Sequence, residues 1–219
     1  MYRRELNGEV LTFGHAGILY QNSFVMYDKQ TDSLWVHATG RAETGPLKGS
    51  TLTFFPSTVT TWEQWRAAYP HTRVLPGYRR GGFMGTYKGI NRSWGLGLSL
   101  IVRFDAKLYP FGALKDEPIV NDRFNGEDVL VFYSDRAGTA TAWGRKVDGR
   151  VLTFRASDKK DKFGNPLLRD DQTGSDWSWL TGEAVAGDLK GKLLERLMYN
   201  PTLNDRFRAF YPDGLIYGG

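Results

Sequence analysis

The sequence predicts a mainly β fold, a β-rich α+β protein of two pseudo-repeated β units with one short helix each. Three observations carry this prediction: an internal repeat, short apolar runs between turns, and an abundance of aromatic residues and glycine. The 219 residues include 7 Trp, 11 Tyr, 13 Phe and 26 Gly. Many short strands joined by tight turns use both classes, because aromatic side chains pack well on pleated surfaces and glycine suits turns.

The internal repeat is the strongest signal in the chain. The segment GEVLTF, which begins at Gly8, recurs as GRVLTF from Gly149. After one inserted residue, matching positions keep a constant offset of 142 residues. Ordered matches with a single gap indicate a duplication. The matched pairs include Asp28 with Asp170, Gln30 with Gln172, Thr31 with Thr173, Ser33 with Ser175, Trp35 with Trp177, Gly45 with Gly187, and Tyr69-Pro70 with Tyr211-Pro212.

The two copies have unequal lengths. Residues 81–147 have no earlier counterpart and lead directly into the second copy. We therefore predict a partial first unit over residues 1–80 and a complete second unit over residues 81–219, packed as one globular body. Since the first unit lacks its front half, we expect the natural protein to extend upstream of Met1. The alternative is a genuine loss of that half.

The predicted strands follow turns that favour positive φ. Asn7-Gly8 precedes a strand over residues 10–14, and Asp148-Gly149 precedes one over residues 151–155. Such pairs are preferred in hairpins because Asn, Asp and Gly tolerate that conformation. Further strands are expected at residues 24–27, 33–38, 51–55, 98–104, 118–121, 129–133 and 139–143.

A first short helix is predicted just before Pro70. Thr60 is followed three positions later by Glu63, the pattern of a capping box, and the helix is expected to run through Tyr69. Trp62, Trp65 and Tyr69 would share one face of it. We expect this face to pack in the core rather than to form a ligand platform.

A second short helix is predicted near the end of the chain. Asn200 is a favourable cap, and Pro201 suits the first helical position because its missing N–H has no helical partner there. The helix is expected to run to about Tyr211, before Pro212.

Composition narrows the possible functions. The net charge is +5, but 29 Lys and Arg residues are scattered among 24 acidic ones, so nucleic-acid binding is not favoured. The absence of cysteine excludes disulfides, thiolate nucleophiles and Cys-ligated zinc within this chain. No apolar run approaches the ~20 residues of a membrane span. No signal peptide is recognisable, so we expect a cytoplasmic location as written, or the cell envelope if an upstream segment exists.

Several stretches carry a family resemblance. These are YDKQTDSLW from Tyr27 to Trp35, GPLKG from Gly45, and TWEQW from Thr61, with Tyr109-Pro110 and Val120-Asn121-Asp122 in the middle segment. Together they resemble an uncharacterised, mostly prokaryotic family called domain of unknown function 3179. The resemblance covers most of the chain and implies a bacterial protein, but no established activity.

Two departures from that family bear on function. Members often carry a Cys-containing segment just before the Arg that aligns with Arg3 or Arg4, and this chain starts after that place. The family usually has His before the Pro that closes the helix, where this chain has Tyr69. Any shared chemistry that depends on those two features is therefore in question here.

The first candidate site is the set Asp28, Thr31, Ser33 and Trp35. A carboxylate near two hydroxyls could bind a sugar or a metal, with Trp35 stacking on a ring. Alternatively, Asp, Thr and Ser side chains bond to the backbone to hold a turn, and the Trp fills the core. Repetition of the set in both copies favours the turn interpretation.

The histidines form the second candidate, because His15 and His37 have no histidine counterparts in the other copy. If the strands that carry them are neighbours, the two imidazoles could converge near Asp28 or Gln30. Two imidazoles and a carboxylate would suit zinc, iron or copper. The metal ligands predicted by this hypothesis are His15 and His37.

The leading functional hypothesis is a non-catalytic binding module for a small polar ligand or a partner protein. Its predicted place is a cleft between the units near His15, Asp28 and His37. One alternative is a redox or metal-dependent enzyme whose Cys-containing segment lies upstream of Met1. Another is a purely structural domain of a larger protein.

Overall fold

The computed structural model describes residues 1–74, 95–103, 105–161 and 164–219. The described residues form two compact units. The first comprises residues 1–57 with 205–214, and the second comprises residues 58–204 with 215–219. The boundary predicted at residues 80 and 81 lies outside the described residues, so that division stays a prediction.

Short strands dominate the described residues, as the predicted β-rich fold class requires. The strands in chain order are β1 (Glu5–Leu6), β2 (Glu9–Val10), β3 (Phe13–Tyr20), β4 (Ser23–Asp28), β5 (Leu34–Val36), β6 (Arg41–Thr44), β7 (Leu96–Val102), β8 (Asp105–Pro110), β9 (Ile119–Phe124), β10 (Glu127–Ser134), β11 (Thr139–Gly144), β12 (Lys146–Val147), β13 (Arg150–Val151), β14 (Phe154–Lys160), β15 (Pro166–Asp170), β16 (Asp176–Ser178), β17 (Ala184–Ala186), β18 (Met198–Leu203) and β19 (Leu215–Ile216). The helices are α1 (Trp62–Ala68), α2 (Phe111–Asp116) and α3 (Asn204–Phe210). No helix among these residues is both long and apolar enough to cross a membrane.

The first unit is built on one antiparallel sheet of order β3-β4-β5-β6. Trp35 on β5 is fully buried and meets the edge of the Phe13 ring, with 5.7 Å between ring centroids. Leu11, Ala42 and Leu52 complete the buried cluster around it. The burial of Trp35 therefore organises this small core, since a buried aromatic ring removes a large apolar area from water.

Among the described residues, the second unit contains the similar sheet β14-β15-β16-β17, the sheets β11-β10-β9 and β18-β7-β8-β19, and the two-stranded sheet β12-β13. One apolar cluster centres on the β7 and β10 strands, and another on Trp177 and Trp179. Asn121 joins β9 to β14, because its side chain donates to the carbonyl oxygen of Phe154 at 2.7 Å and accepts from the Phe154 N–H at 2.8 Å.

The predicted strands at residues 24–27, 33–38, 118–121, 129–133 and 139–143 are confirmed with small shifts at their ends. The prediction for residues 51–55 is wrong. Only single bridges, Arg41 with Thr51 and Tyr2 with Phe54, occur in that stretch. Its backbone groups instead bond to turns, as when Leu52 donates to the Gly40 carbonyl oxygen at 2.9 Å.

Helix α1 is confirmed, but its cap is one residue later than predicted. Thr61 has the extended backbone of a cap and accepts from the Gln64 N–H at 3.3 Å. The third helical residue is therefore the buried Gln64 rather than Glu63. The prediction of a core-packed aromatic face is wrong for Trp62, whose side chain is 50% exposed.

The start predicted for the last helix is wrong, because residues Met198–Leu203 pair with β7 as strand β18. Helix α3 begins only at Asn204. Pro201 is tolerated because β18 is at the edge of its sheet, where a missing N–H removes no ladder bond on the open side. Long-range strand pairing thus overrides a favourable local cap.

Candidate functional site

The set Asp28, Thr31, Ser33 and Trp35 closes the turn between β4 and β5. The fully buried Asp28 carboxylate accepts from the Thr31 N–H at 2.6 Å and from the Trp35 indole N–H at 2.8 Å. The Thr31 hydroxyl lies 2.9 Å from the same carboxylate and 2.7 Å from the Ser33 hydroxyl oxygen. These bonds hold the pKa of Asp28 below its usual value, although burial acts in the opposite direction.

The same contacts recur in the second unit. Asp170 accepts from the Thr173 N–H at 2.6 Å and from the Trp177 indole at 2.9 Å. Thr173 and Ser175 hydroxyls are 2.8 Å apart. In both turns the carboxylate is hydrogen-bonded by neighbouring groups of the turn itself. Asp28 and Asp170 are both fully buried.

His15 lies on β3 and His37 in the turn that follows β5, and both contact Phe24. Strands β3 and β5 flank β4 and do not pair with each other. The ring centroids of His15 and Phe24 are 4.5 Å apart, and those of Phe24 and His37 are 5.9 Å apart. The His15 Nδ1 accepts from the Gly17 N–H at 2.7 Å. Across the described residues, no group of three or more His, Asp and Glu side chains is arranged to hold a metal ion.

A different place in the second unit carries the features of a site. A cleft of about 530 Å³ opens between the sheet β14-β15-β16-β17 and the end of helix α1. None of the six candidates from the sequence lines it. Its walls are the residues Ala67, Ala68, Pro70, Lys159, Lys160, Asp161, Leu167, Asp176, Ser178, Thr181, Glu183, Val185 and Ala186.

Asp176 places a carboxylate in this cleft although its side chain is only 2% exposed. It accepts from the Ser157 hydroxyl at 2.9 Å and from the Lys159 ammonium at 2.9 Å. Burial alone would raise the pKa of Asp176, but these bonds and the charges of Lys159 and Arg169 outweigh burial and lower it. The cleft therefore contains a buried carboxylate that stays ionised at neutral pH.

The equivalent positions in the first sheet are apolar. The two sheets share one register, since Leu19 pairs with Phe24 where Lys160 pairs with Pro166. The next two strands of each sheet are also in the same register, because Met26 pairs with Trp35 in the first sheet and Leu168 pairs with Trp177 in the second. The counterparts of Ser157, Lys159 and Asp176 are accordingly Ala16, Ile18 and Leu34.

Other polar groups of the cleft have unused bonding capacity. Among the described residues, neither Glu183 nor Lys160 takes part in an ion pair with another residue of the chain. The Ser178 hydroxyl accepts from the Thr181 N–H at 3.3 Å, and the Thr181 hydroxyl accepts from the Glu183 N–H at 3.3 Å. Both hydroxyls therefore keep a proton to donate.

Sequence reasoning missed this site. Lys159, Asp176 and Glu183 are not among the site residues that the sequence predicts. Lys159 and Asp176 are 17 positions apart, so only strand register brings them together. One feature of the sequence could have indicated the site. At matched positions of the repeat, Ala16, Ile18 and Leu34 are apolar, whereas Ser157, Lys159 and Asp176 are polar or charged.

Comparisons with known proteins identify a family and nothing closer. The family model described as "Protein of unknown function (DUF3179)" matches residues 1–99 and again residues 96–217. No curated protein and no solved structure matches the chain.

Proposed function

We propose that this chain, which belongs to the DUF3179 family of proteins of unknown function, is a non-catalytic binding module for a small polar ligand. The ligand lies in the cleft between the sheet β14-β15-β16-β17 and helix α1. The volume of about 530 Å³ is within the range of small-molecule pockets. The walls combine six apolar residues with seven polar or charged ones, so a ligand finds both apolar contacts and hydrogen-bonding groups there.

One observation carries the proposal. Ser157, Lys159 and Asp176, which we call the charged set, occupy positions of the second sheet where the similar first sheet has apolar residues. The first sheet folds with Ala16, Ile18 and Leu34, so the sheet architecture itself does not require charges there. Burying a carboxylate is unfavourable unless it is hydrogen-bonded and paired. A buried carboxylate that the fold does not need, placed in an open cleft, is best explained by ligand binding.

The site predicted around Asp28 supports binding less well. The carboxylates of Asp28 and Asp176 are both hydrogen-bonded, but their donors differ. Asp28 accepts from a turn N–H and from the fully buried Trp35 indole. Asp176 accepts from the Ser157 hydroxyl and from the ammonium of Lys159, whose side chain is 56% exposed and can turn to a ligand. Phe24 contacts both His15 and His37. A ligand at Asp28 would have to displace bonds that hold the turn. We therefore place the function at Asp176.

The test exchanges the charged set for the apolar set of the first sheet. The variant Ser157→Ala/Lys159→Ile/Asp176→Leu and the unmodified chain are screened by isothermal titration calorimetry against four probe groups: neutral oligosaccharides, amino acids, nucleotides and organic acids. We expect at least one probe to bind the unmodified chain and to lose measurable binding to the variant. Lys192→Ile/Asp148→Asn is the matched control, because it removes an exposed ion pair elsewhere and Asn tolerates the φ of 48° at position 148. Equal binding by all three proteins would overturn the proposal.

We also infer that the two sheets arose by internal duplication. The repeated turn contacts at Asp28 and Asp170 support this, as does the double match of one family model to residues 1–99 and 96–217.

A further inference from the structure

Helix α1 has an exposed tryptophan, Trp62, at its first position. The buried residue of this helix is Gln64, whereas Trp62 is 50% exposed. Leaving a ring of this size in water forgoes the stabilisation that its burial would give. An exposed tryptophan beside a cleft can supply a flat apolar surface to a ligand.

Trp62 lines a second cleft that adjoins the first. This cleft has a volume of about 590 Å³ and is lined by Trp62, Glu63, Arg66, Ala67 and Pro70. Ala67 and Pro70 line both clefts. The two therefore form one groove along helix α1, which we call the α1 groove.

The polar groups of the α1 groove present both acceptors and donors. Asp176 and Glu183 offer carboxylate oxygens, while Lys160, Ser178 and Thr181 offer donors. Two lysines and three acidic residues line the first cleft. One acidic and one basic residue, Glu63 and Arg66, line the second, and Glu63 also forms an ion pair with Arg136 at 3.6 Å. With neither sign dominant, the groove suits a neutral ligand whose groups both donate and accept.

We infer that the ligand is a neutral oligosaccharide, an inference that rests on the proposed binding function of the first cleft. Each sugar hydroxyl both donates and accepts, which matches the mixed lining around Asp176 and Glu183. The apolar faces of sugar rings match the exposed Trp62 ring and the small apolar side chains Ala67 and Pro70. Trp62 stacks on one ring while Asp176, Lys159 and Glu183 bind the hydroxyls of another.

The test uses maltohexaose, cellohexaose, xylohexaose and chitohexaose as probes, with affinity measured by isothermal titration calorimetry on the full chain. We expect at least one of them to bind. Trp62→Ala should weaken that binding by about 10-fold or more, and Trp62→Phe should retain most of it because a ring remains. Tyr20→Ala removes a ring that is 51% exposed and belongs to the other unit, so it should leave the affinity unchanged. Far-UV circular dichroism verifies that each variant is folded.

The outcomes separate this inference from the proposed function. If amino acids, nucleotides or organic acids bind in a manner that depends on Asp176 and no oligosaccharide does, the saccharide inference is overturned while the binding function stands. If an oligosaccharide binds but Trp62→Ala behaves like Tyr20→Ala, the role of Trp62 is overturned. If no probe of any class binds, both proposals fail.

Discussion

Trp35 donates its indole N–H to Asp28 Oδ2 across 2.8 Å, and both side chains are completely buried. The other carboxylate oxygen, Oδ1, accepts from the Thr31 N–H at 2.6 Å. Each oxygen therefore faces an N–H donor. This arrangement needs a carboxylate rather than an amide, because an amide has only one oxygen to accept with.

Asp28→Asn is accordingly expected to destabilise the fold although it preserves the shape of the side chain. Its NH₂ group would oppose either the Trp35 or the Thr31 N–H, leaving a buried donor unpaired. We expect a loss of about 2–3 kcal/mol in the free energy of unfolding. Urea denaturation at pH 7 measures it. Asp32→Asn is the control in the same turn, since Asp32 is exposed with a φ of 55°, a conformation that Asn tolerates well.

Gly187 should be irreplaceable for a reason beyond its backbone conformation. A Cβ at this position would lie 2.6 Å from the Cα of Ser175, and the φ of Gly187 is +90°. Gly191 has a nearly equal φ of +87°, yet nothing lies within 4 Å of its Cβ position. Gly191→Ala therefore measures conformational strain alone, about 1 kcal/mol. Gly187→Ala adds a backbone clash and should cost at least about 3 kcal/mol. Similar losses in the two variants, measured by urea denaturation, would contradict the close approach.

Arg145 acts as a structural clamp in the second unit. Its buried guanidinium donates to three carbonyl oxygens, those of Val129 at 3.1 Å, Leu152 at 2.7 Å and Asp122 at 3.1 Å. Arg145→Ala leaves these acceptors without their donor, so we expect a loss of about 3 kcal/mol in the free energy of unfolding. Arg155→Ala removes an exposed ion pair with Asp171 and should cost less than about 0.5 kcal/mol. Thermal and urea unfolding of both variants give the comparison.

The fold class was predictable because it depends on local pattern. Strands at residues 24–27 and 129–133 follow from apolar runs between turns, and these runs do not depend on distant partners. The segment at residues 198–203 was misassigned because its state is decided by pairing with β7, about a hundred positions away. The capping preference of Asn200 is a local property, so it contains no information about that pairing.

The candidate site was less predictable than the fold. The chemistry-bearing residues singled out from the sequence included Asp28, which the turn engages fully. The carboxylate in the cleft, Asp176, lies inside the repeated set, between Ser175 and Trp177, at a position that does not match its counterpart Leu34. Its neighbour Lys159 reaches it through a strand register that contains an irregularity between Ala156 and Lys160. Such a site can be recognised in the sequence only by comparing matched positions of the two repeated segments and finding a charged residue opposite an apolar one.

The lowered pKa of Asp176 predicts a pH dependence. Because its folded pKa lies below the ordinary value of 3.8, ionised Asp176 stabilises the folded state above that pH, and the contribution is lost as the pH falls through the folded pKa. The unmodified chain should therefore lose more stability between pH 5 and pH 2 than Ser157→Ala/Lys159→Ile/Asp176→Leu does. Urea denaturation at intervals across this window measures both slopes. Parallel slopes would show that Asp176 titrates alike in the folded and unfolded states.

Single substitutions at the Lys159–Asp176 pair should be non-additive. The Asp176 side chain is 2% exposed and that of Lys159 is 56% exposed, so the two partners depend on the pair unequally. Lys159→Ile leaves the buried Asp176 carboxylate without its cation and should lower the free energy of unfolding by about 1–2 kcal/mol. This is less than the loss of a fully buried ion pair would cost, because Lys159 is partly exposed to solvent. Asp176→Leu leaves a lysine that can turn to water, and it should cost less.

The combined exchange Ser157→Ala/Lys159→Ile/Asp176→Leu should restore stability to within about 0.5 kcal/mol of the unmodified chain, because well-packed apolar residues can replace a buried ion pair without loss. Lys192→Ile is the control, since its pair with Asp148 is also 2.9 Å long but both side chains are about half exposed. Urea denaturation of the unmodified chain, the two single variants and Lys159→Ile/Asp176→Leu gives the double-mutant cycle, and the combined exchange and Lys192→Ile are measured beside it. If Lys159→Ile costs no more than Lys192→Ile, the Asp176 carboxylate does not depend on its lysine. If the combined exchange unfolds the chain, the charged set serves the fold, and the observation that carries the binding proposal is lost.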